Sequence, residues 1–130
     1  MYVLDTNTLI YFFKGMGKVA QILLSKSPKL IGIPAIVIFE LEVGIGKSTS
    51  PQKRINQLQE ITSLIKIMPF SDTEAKTSAS IKVKLDKKGT PLGPYDLLIA
   101  GTALTHNAVL VTHNTKEFGR IEDLQIEDWY

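Results

Sequence analysis

Short, largely apolar runs recur along this chain with helix-length segments between them, and that alternation constrains the fold more than any other feature. The runs are Tyr2-Val3-Leu4, Leu30-Ile31-Gly32-Ile33, Lys66-Ile67-Met68-Pro69-Phe70 and Ala108-Val109-Leu110-Val111-Thr112. Runs this short, bounded by turn residues, read as strands. Apolar side chains at consecutive positions predict strands covered on both faces, as in a parallel sheet. Parallel neighbours need long crossovers, and the intervening segments have the length and pattern to supply them.

Thr6-Asn7-Thr8 is helix-start chemistry ahead of Leu9-Ile10-Tyr11-Phe12-Phe13, with a stop near Gly15 and Gly17. Helical spacing resumes at Val19 and runs to Ser27-Pro28. Ala35 to about Ile45 is an apolar segment whose only charges are Glu40 and Glu42, and its length predicts a buried helix. Ile55, Leu58, Ile61, Leu64 and Ile65 recur at three- and four-residue intervals, marking an amphipathic helix. Ser71 or Asp72 caps a further helix running to about Lys88. Gly89 to Pro94 is a turn-rich loop, Tyr95 to Ala103 is again helical, and a last short strand is expected at Leu124-Gln125-Ile126. The expected fold is α/β, with three α/β/α layers around a mainly parallel sheet of four to five strands. A length of 130 residues suits one domain spanning 1–130, with no room for a second core.

Bulk properties exclude several other classes. An apolar fraction of 44% is that of a globular protein rather than a disordered one. No apolar run approaches the roughly 20 residues that span a bilayer, and the N-terminus lacks a basic start followed by an apolar stretch. There is no cysteine, so no disulfide and no thiolate metal site; a cytoplasmic location, with no membrane partner, is expected. Net charge is only +2, but it is uneven: residues 1–113 carry 13 Lys/Arg against 8 Asp/Glu, whereas residues 114–130 carry 2 against 5. A basic body with an acidic tail suits contact with a polyanion on one side; a solvated surface of uneven charge explains it equally well.

Ligands of open α/β sheets bind beyond the carboxyl ends of the strands, where strand order reverses. That rule selects Asp5, after the first strand, and Thr112-His113-Asn114, after the fourth. Asp5 also fits a plain helix cap. Only three acidic residues occur among the first 59, namely Asp5, Glu40 and Glu42. An ionised carboxylate inside an apolar helix is costly unless paired or bound to a cation. Glu40 has Gly44 one turn on, which leaves space beside it, although periodicity does not choose between Glu40 and Glu42. Asp96 lies in the first turn of its helix and shares a side with Ile99 and Ala100, so it points inward; dipole compensation is its bland alternative. Inward carboxylates with no basic partner in sequence suit a hard divalent cation such as Mg²⁺.

Other signals carry less. Gly15 to Ala20 matches a dinucleotide fingerprint as text but follows a helix, and Gly46-Lys47-Ser48 lacks the earlier glycine of a phosphate loop, Leu41 standing there. No Ser-His-Asp spacing is present. His106 and His113 read as surface polar residues, and Tyr11-Phe12-Phe13 as core.

Four motifs together resemble the PIN-domain family. Val3-Leu4-Asp5-Thr6-Asn7 resembles its opening motif and Phe39-Glu40-Leu41-Glu42-Val43-Gly44 its second acidic motif. Gly93-Pro94-Tyr95-Asp96-Leu97-Leu98-Ile99-Ala100 resembles the third, and Leu110-Val111-Thr112-His113-Asn114, followed by Glu117-Phe118, the closing one. Order, spacing and length agree over essentially the whole chain, and the likeness is greatest to the VapC-type toxins of toxin–antitoxin pairs. The resemblance implies a PIN-like α/β/α fold and a metal-dependent endoribonuclease using Mg²⁺ or Mn²⁺. It implies Asp5, Glu40 and Asp96 as metal-site carboxylates, its register choosing Glu40 over Glu42. Thr6, Asn7 and Thr112 match supporting residues. Many family members have a fourth acid in the closing motif; here Asn114 stands at that position, with Glu117 three residues on, which puts a second metal site in doubt. The resemblance further implies an RNA substrate such as tRNA, a VapB-like antitoxin and a homodimer.

Other readings fit less well. A haloacid-dehalogenase-type phosphotransferase wants Asp-x-Asp where Asp5-Thr6-Asn7 stands, and a receiver domain wants a Lys where Thr112 stands. A PIN nuclease outside a toxin pair shares all four motifs, whereas a non-catalytic PIN-like binding subunit has no need of three intact acidic ones.

Overall fold

β1 (Tyr2–Leu4) is the central strand of a five-stranded sheet with the order β3-β2-β1-β4-β5, every neighbouring pair being parallel. The computed structural model describes all 130 residues. After β1 come α1 (Thr6–Lys14), α2 (Val19–Leu24), β2 (Ile31–Pro34), α3 (Ala35–Lys47) and α4 (Gln52–Leu64). β3 (Lys66–Met68), α5 (Asp72–Lys88), α6 (Pro94–Thr105), β4 (Val109–Val111), α7 (Thr115–Phe118) and β5 (Ile126–Glu127) complete the chain. The path moves outward from β1 to β3, then returns past β1 to β4. Right-handed crossovers therefore put α1 to α4 on one face of the sheet and α5 and α6 on the other, giving the expected three layers.

Val3, Leu4, Ile31, Ile33, Leu110 and Val111 are almost wholly buried, as strands covered on both faces require. The layers are locked locally. Ser71 N-caps α5, and its backbone N–H donates to the Glu74 carboxylate at 2.9 Å, so Ser71 rather than Asp72 is the cap. α5 and α6 approach closely where Gly101 faces Ser78: a Cβ at position 101 would overlap the Ser78 side chain. That contact fixes the height of α6, and with it the position of Asp96 at its start.

Several expectations shift. Leu30 belongs to a short 3₁₀ turn (Pro28–Leu30), and β2 extends through Pro34 instead. The last strand lies at Ile126–Glu127, further along than expected, and α7 has too few residues for its periodicity to show. α3 is not a buried helix. Only Val37 and Leu41 are buried, while Phe39 and Val43 are exposed. An apolar surface all round a helix signals burial only when neighbours cover every face, and within this chain they cover one.

Candidate active site

The strand-order reversal falls between β1 and β4, and Asp5 and Thr112 are the first residues beyond those adjacent strands. Asp5 is only 5% exposed. Its Oδ1 accepts the Thr8 backbone N–H at 2.8 Å, which caps α1. The Asp5 N–H and the Thr8 hydroxyl both donate to the Val111 carbonyl, at 3.2 and 3.0 Å. The end of β4 is thus tied to the first turn of α1. Burial pushes the Asp5 carboxyl above its ordinary value; hydrogen bonds from Thr112 and Thr8 oppose the rise, and Asp128 adds to it. Capping and a place in an acidic pocket are therefore compatible in one residue.

Glu40 and Glu42 diverge on α3. Glu40 is half-buried and its Oε1 accepts the Thr6 hydroxyl at 2.9 Å. Glu42 is exposed and borders a different groove, beside Ile38, Ile45 and Ile55. The space beside Gly44 is open. Because α3 is half uncovered, desolvation constrains these glutamates less than an enclosed helix would. Glu40 is distinguished instead by its hydroxyl partner and its acidic neighbours.

Asp96 reports the collective charge. Its carboxyl is pushed up to about 6, first by burial and then by repulsion from Asp5, Glu40 and Glu117. A helix N-terminus favours an anion, so the neighbouring negative charges and burial together outweigh that preference. Glu117 sits on α7, where it accepts the Asn114 amide at 3.0 Å, while the Asn114 N–H donates to the Thr112 hydroxyl at 3.0 Å. The acid that joins the group from the closing motif is therefore Glu117, and Asn114 braces it.

Asn7 differs from the other motif residues: it is exposed, and no hydrogen bond links its side chain to the acids. Asp128, which the motifs did not mark, raises Asp5 from the C-terminal segment. It pairs with His113 at 2.9 Å. His106 pairs with Glu74 at 3.2 Å, so each histidine has an acidic partner.

None of Asp5, Glu40, Asp96 and Glu117 forms an ion pair with Lys, Arg or His. Mutually repelling carboxylates without a cationic partner have the donor chemistry of a hard divalent cation. No three acidic or histidine side chains converge as a preformed metal cage. Such an ion would therefore share its coordination between a few carboxylates and water, which Mg²⁺ accepts readily.

A sequence profile of the PIN domain matches residues 2–124. The tRNA(fMet)-specific endonuclease VapC of Salmonella typhimurium is 34% identical, over 98% of this chain and 97% of its own length. Ribonuclease VapC1 of Haemophilus influenzae is 35% identical over 99% and 98%. Among solved structures, VapBC2 of Rickettsia felis bound to a promoter DNA fragment superposes with a TM-score of 0.92. It is 34% identical, with 99% of this chain and 98% of that one covered.

Proposed function

This chain belongs to the PIN-domain family, and on that premise we propose that it is the ribonuclease toxin of a VapBC-type toxin–antitoxin pair. The observation that carries the reading is the group of carboxylates from four separate motifs, Asp5, Glu40, Asp96 and Glu117, none of which has a cationic partner. An anionic substrate approaches such a pocket only when a cation is present, and with no Lys, Arg or His paired to these acids the charge that builds on phosphorus would fall to that cation too.

In this reading Asp5, Glu40 and Asp96 would hold Mg²⁺ or Mn²⁺ by closing on the ion as it binds, with water completing its coordination. When bound, the ion neutralises the scissile phosphate and makes water acidic enough to attack phosphorus at neutral pH. The chain supplies orientation. Thr6 holds the Glu40 carboxylate, the Thr8 N–H holds that of Asp5, and Asn114, itself anchored on the Thr112 hydroxyl, holds that of Glu117. Glu117 adds negative charge where the family often has a fourth acid, which favours a second, weaker cation site over none. In-line attack leaves a 5′-phosphate and a 3′-hydroxyl.

The named relatives extend the proposal to its partners. A tRNA is the expected class of substrate, since the Salmonella relative carries that specificity in its name. A VapB-like antitoxin is the expected inhibitor, since similar solved structures include the VapBC complexes of Rickettsia felis and Salmonella typhimurium. No helix is long and apolar enough to cross a membrane, and a cytoplasmic location is part of the reading. The exposed Phe39 and Tyr95 rings, with centroids 5.4 Å apart, and Val43 one turn along α3 give an apolar face for the expected homodimer.

The deciding experiment is RNA cleavage by purified protein with Mg²⁺, with Mn²⁺ and with excess EDTA, alongside an Asp96→Asn control for contaminating nuclease. Cleavage should require the ion and vanish in the variant. Full activity in EDTA would sink the mechanism.

A further inference from the structure

The acidic pocket leaves a problem for an extended RNA. A bound cation accounts for one phosphate, but the phosphates on either side still face four carboxylates. The surface next to Glu40 offers an answer. An open trough there is bordered by Glu40, Gly44, Lys14, Ser48 and Arg54. It shares Lys14, Ser48 and Arg54 with a second trough of about 400 Å³, which adds Ser50 and Lys53 and has Phe13 as its only apolar residue. The two form one continuous path leading from Glu40 to the C-terminal end of α1 and the start of α4.

Three cations line the outer trough, and no acid does. Neither Lys14 nor Lys53 nor Arg54 takes part in an ion pair. Arg54 is also held in place before any ligand arrives. Its guanidinium carbon lies 4.9 Å from the centre of the Phe13 ring, and Nη1 donates to Gln57 Oε1 at 2.9 Å. Gln57 is fixed in turn, donating through Nε2 to the Phe13 carbonyl at 3.1 Å. A planar, oriented guanidinium with donors to spare is suited to forked binding of a phosphate. The neighbouring cleft beneath Leu24 and Leu64 is mainly apolar, with Glu60 its only charge, so it lacks this chemistry.

We propose that the Lys14–Arg54–Lys53 trough holds backbone phosphates of single-stranded RNA flanking the bond to be cut. The assignment rests on the nuclease reading of the adjoining acids. It makes these three side chains substrate-positioning residues, contributing affinity for a chain longer than the reacting dinucleotide and none of the chemistry.

The test is Mn²⁺-dependent cleavage of a short single-stranded RNA across a range of KCl concentrations. The unaltered protein is compared with Lys14→Gln, Lys53→Gln, their double variant and Arg54→Gln. Each substitution should raise KM severalfold with kcat unchanged, and should flatten the dependence of log KM on log salt by about 0.7 for each phosphate no longer neutralised. Lys14 and Lys53 are exposed, so their variants decide the matter even if Arg54→Gln unfolds. Cleavage with unaltered KM and salt dependence in the lysine variants would overturn the trough assignment and leave the nuclease reading standing. No cleavage by the unaltered protein in any divalent ion would instead bring down the nuclease reading, and this one with it. Variants that lose affinity for poly-glutamate but not for RNA would make the trough a protein contact and likewise overturn the proposal.

Discussion

The Thr6 hydroxyl donates a 2.9 Å hydrogen bond to Glu40 Oε1, across 34 residues of sequence. It joins the first turn of α1 to α3 and orients one carboxylate of the proposed metal site, while Glu42 faces another groove. Residues two apart on a helix point about 200° apart, so the two glutamates should not share a role. Glu40→Gln is expected to slow single-turnover RNA cleavage roughly a thousandfold, reflecting the several kcal/mol that a cation-linked charge supplies. Glu42→Gln should change the rate only a few-fold. Thr6→Val should fall between, at roughly tenfold to a hundredfold, the value of one hydrogen bond to a charged group. Equal losses at positions 40 and 42 would mean that the wrong face of α3 has been assigned to the site.

Asp5 has two separable tasks. Asn is as good an N-cap as Asp, so Asp5→Asn should keep the bond to the Thr8 N–H while removing a buried negative charge. Urea unfolding should show unchanged or higher stability, and cleavage should be abolished. Asp5→Ala loses the cap as well and should be about 1 kcal/mol less stable than Asp5→Asn. An Asn variant that remains fully active would reduce Asp5 to a cap.

The Asp96 carboxyl makes stability depend on pH in the metal-free protein. It keeps its proton to about pH 6 when folded, against an ordinary value of 3.8. Below the lower value both folded and unfolded chains hold the proton, and there is no cost. Between the two, only the unfolded chain ionises, so stability falls as pH rises; above about 6 the whole cost is present. Asp96 is partly open to solvent, which limits that cost to about 1 kcal/mol. In EDTA, Asp96→Asn should raise Tm by about 3–5 °C near pH 7.5 and by little below about pH 3.8. The same increment at both pH values would contradict the charge argument.

Helix packing sets the position of Asp96 from a distance. Gly101→Ala should destabilise the fold by about 1–3 kcal/mol through overpacking against Ser78, and should lower cleavage by displacing α6. Ser78→Ala removes a buried hydroxyl that has no hydrogen-bond partner, so it should be close to neutral in thermal melts. Comparable damage from both substitutions would show that Ser78 does more than pack.

Much of the architecture is legible in the chain because it is encoded locally. Consecutive apolar residues in short runs specify strands covered on both faces, and the segments between them have helical periods, so the parallel α/β class follows from the order of residues alone. Asp5 and Asp96 stand out for the same reason, one at the end of an apolar strand and the other in the first turn after Gly93-Pro94. The apolar surround of α3 is a poorer guide. Periodicity records which side chains are apolar and not how many neighbours cover them, and Phe39 and Val43 remain exposed.

What tertiary structure decided is which distant segments meet. Nothing near Thr6 in sequence marks it as a partner of Glu40, and nothing near Asn114 says that it braces Glu117 beside Asp96. Asp128 influences Asp5 only because β5 pairs with β4 and brings the C-terminal segment alongside. Lys14, Ser48 and Arg54 likewise line one trough only because α1, α3 and α4 converge beside Glu40. Charge interactions and hydrogen bonds act over a few ångströms of space, whereas the periods that specify strands and helices act along the chain. The residue types available to the site were therefore set by sequence, and their mutual geometry by how the layers pack.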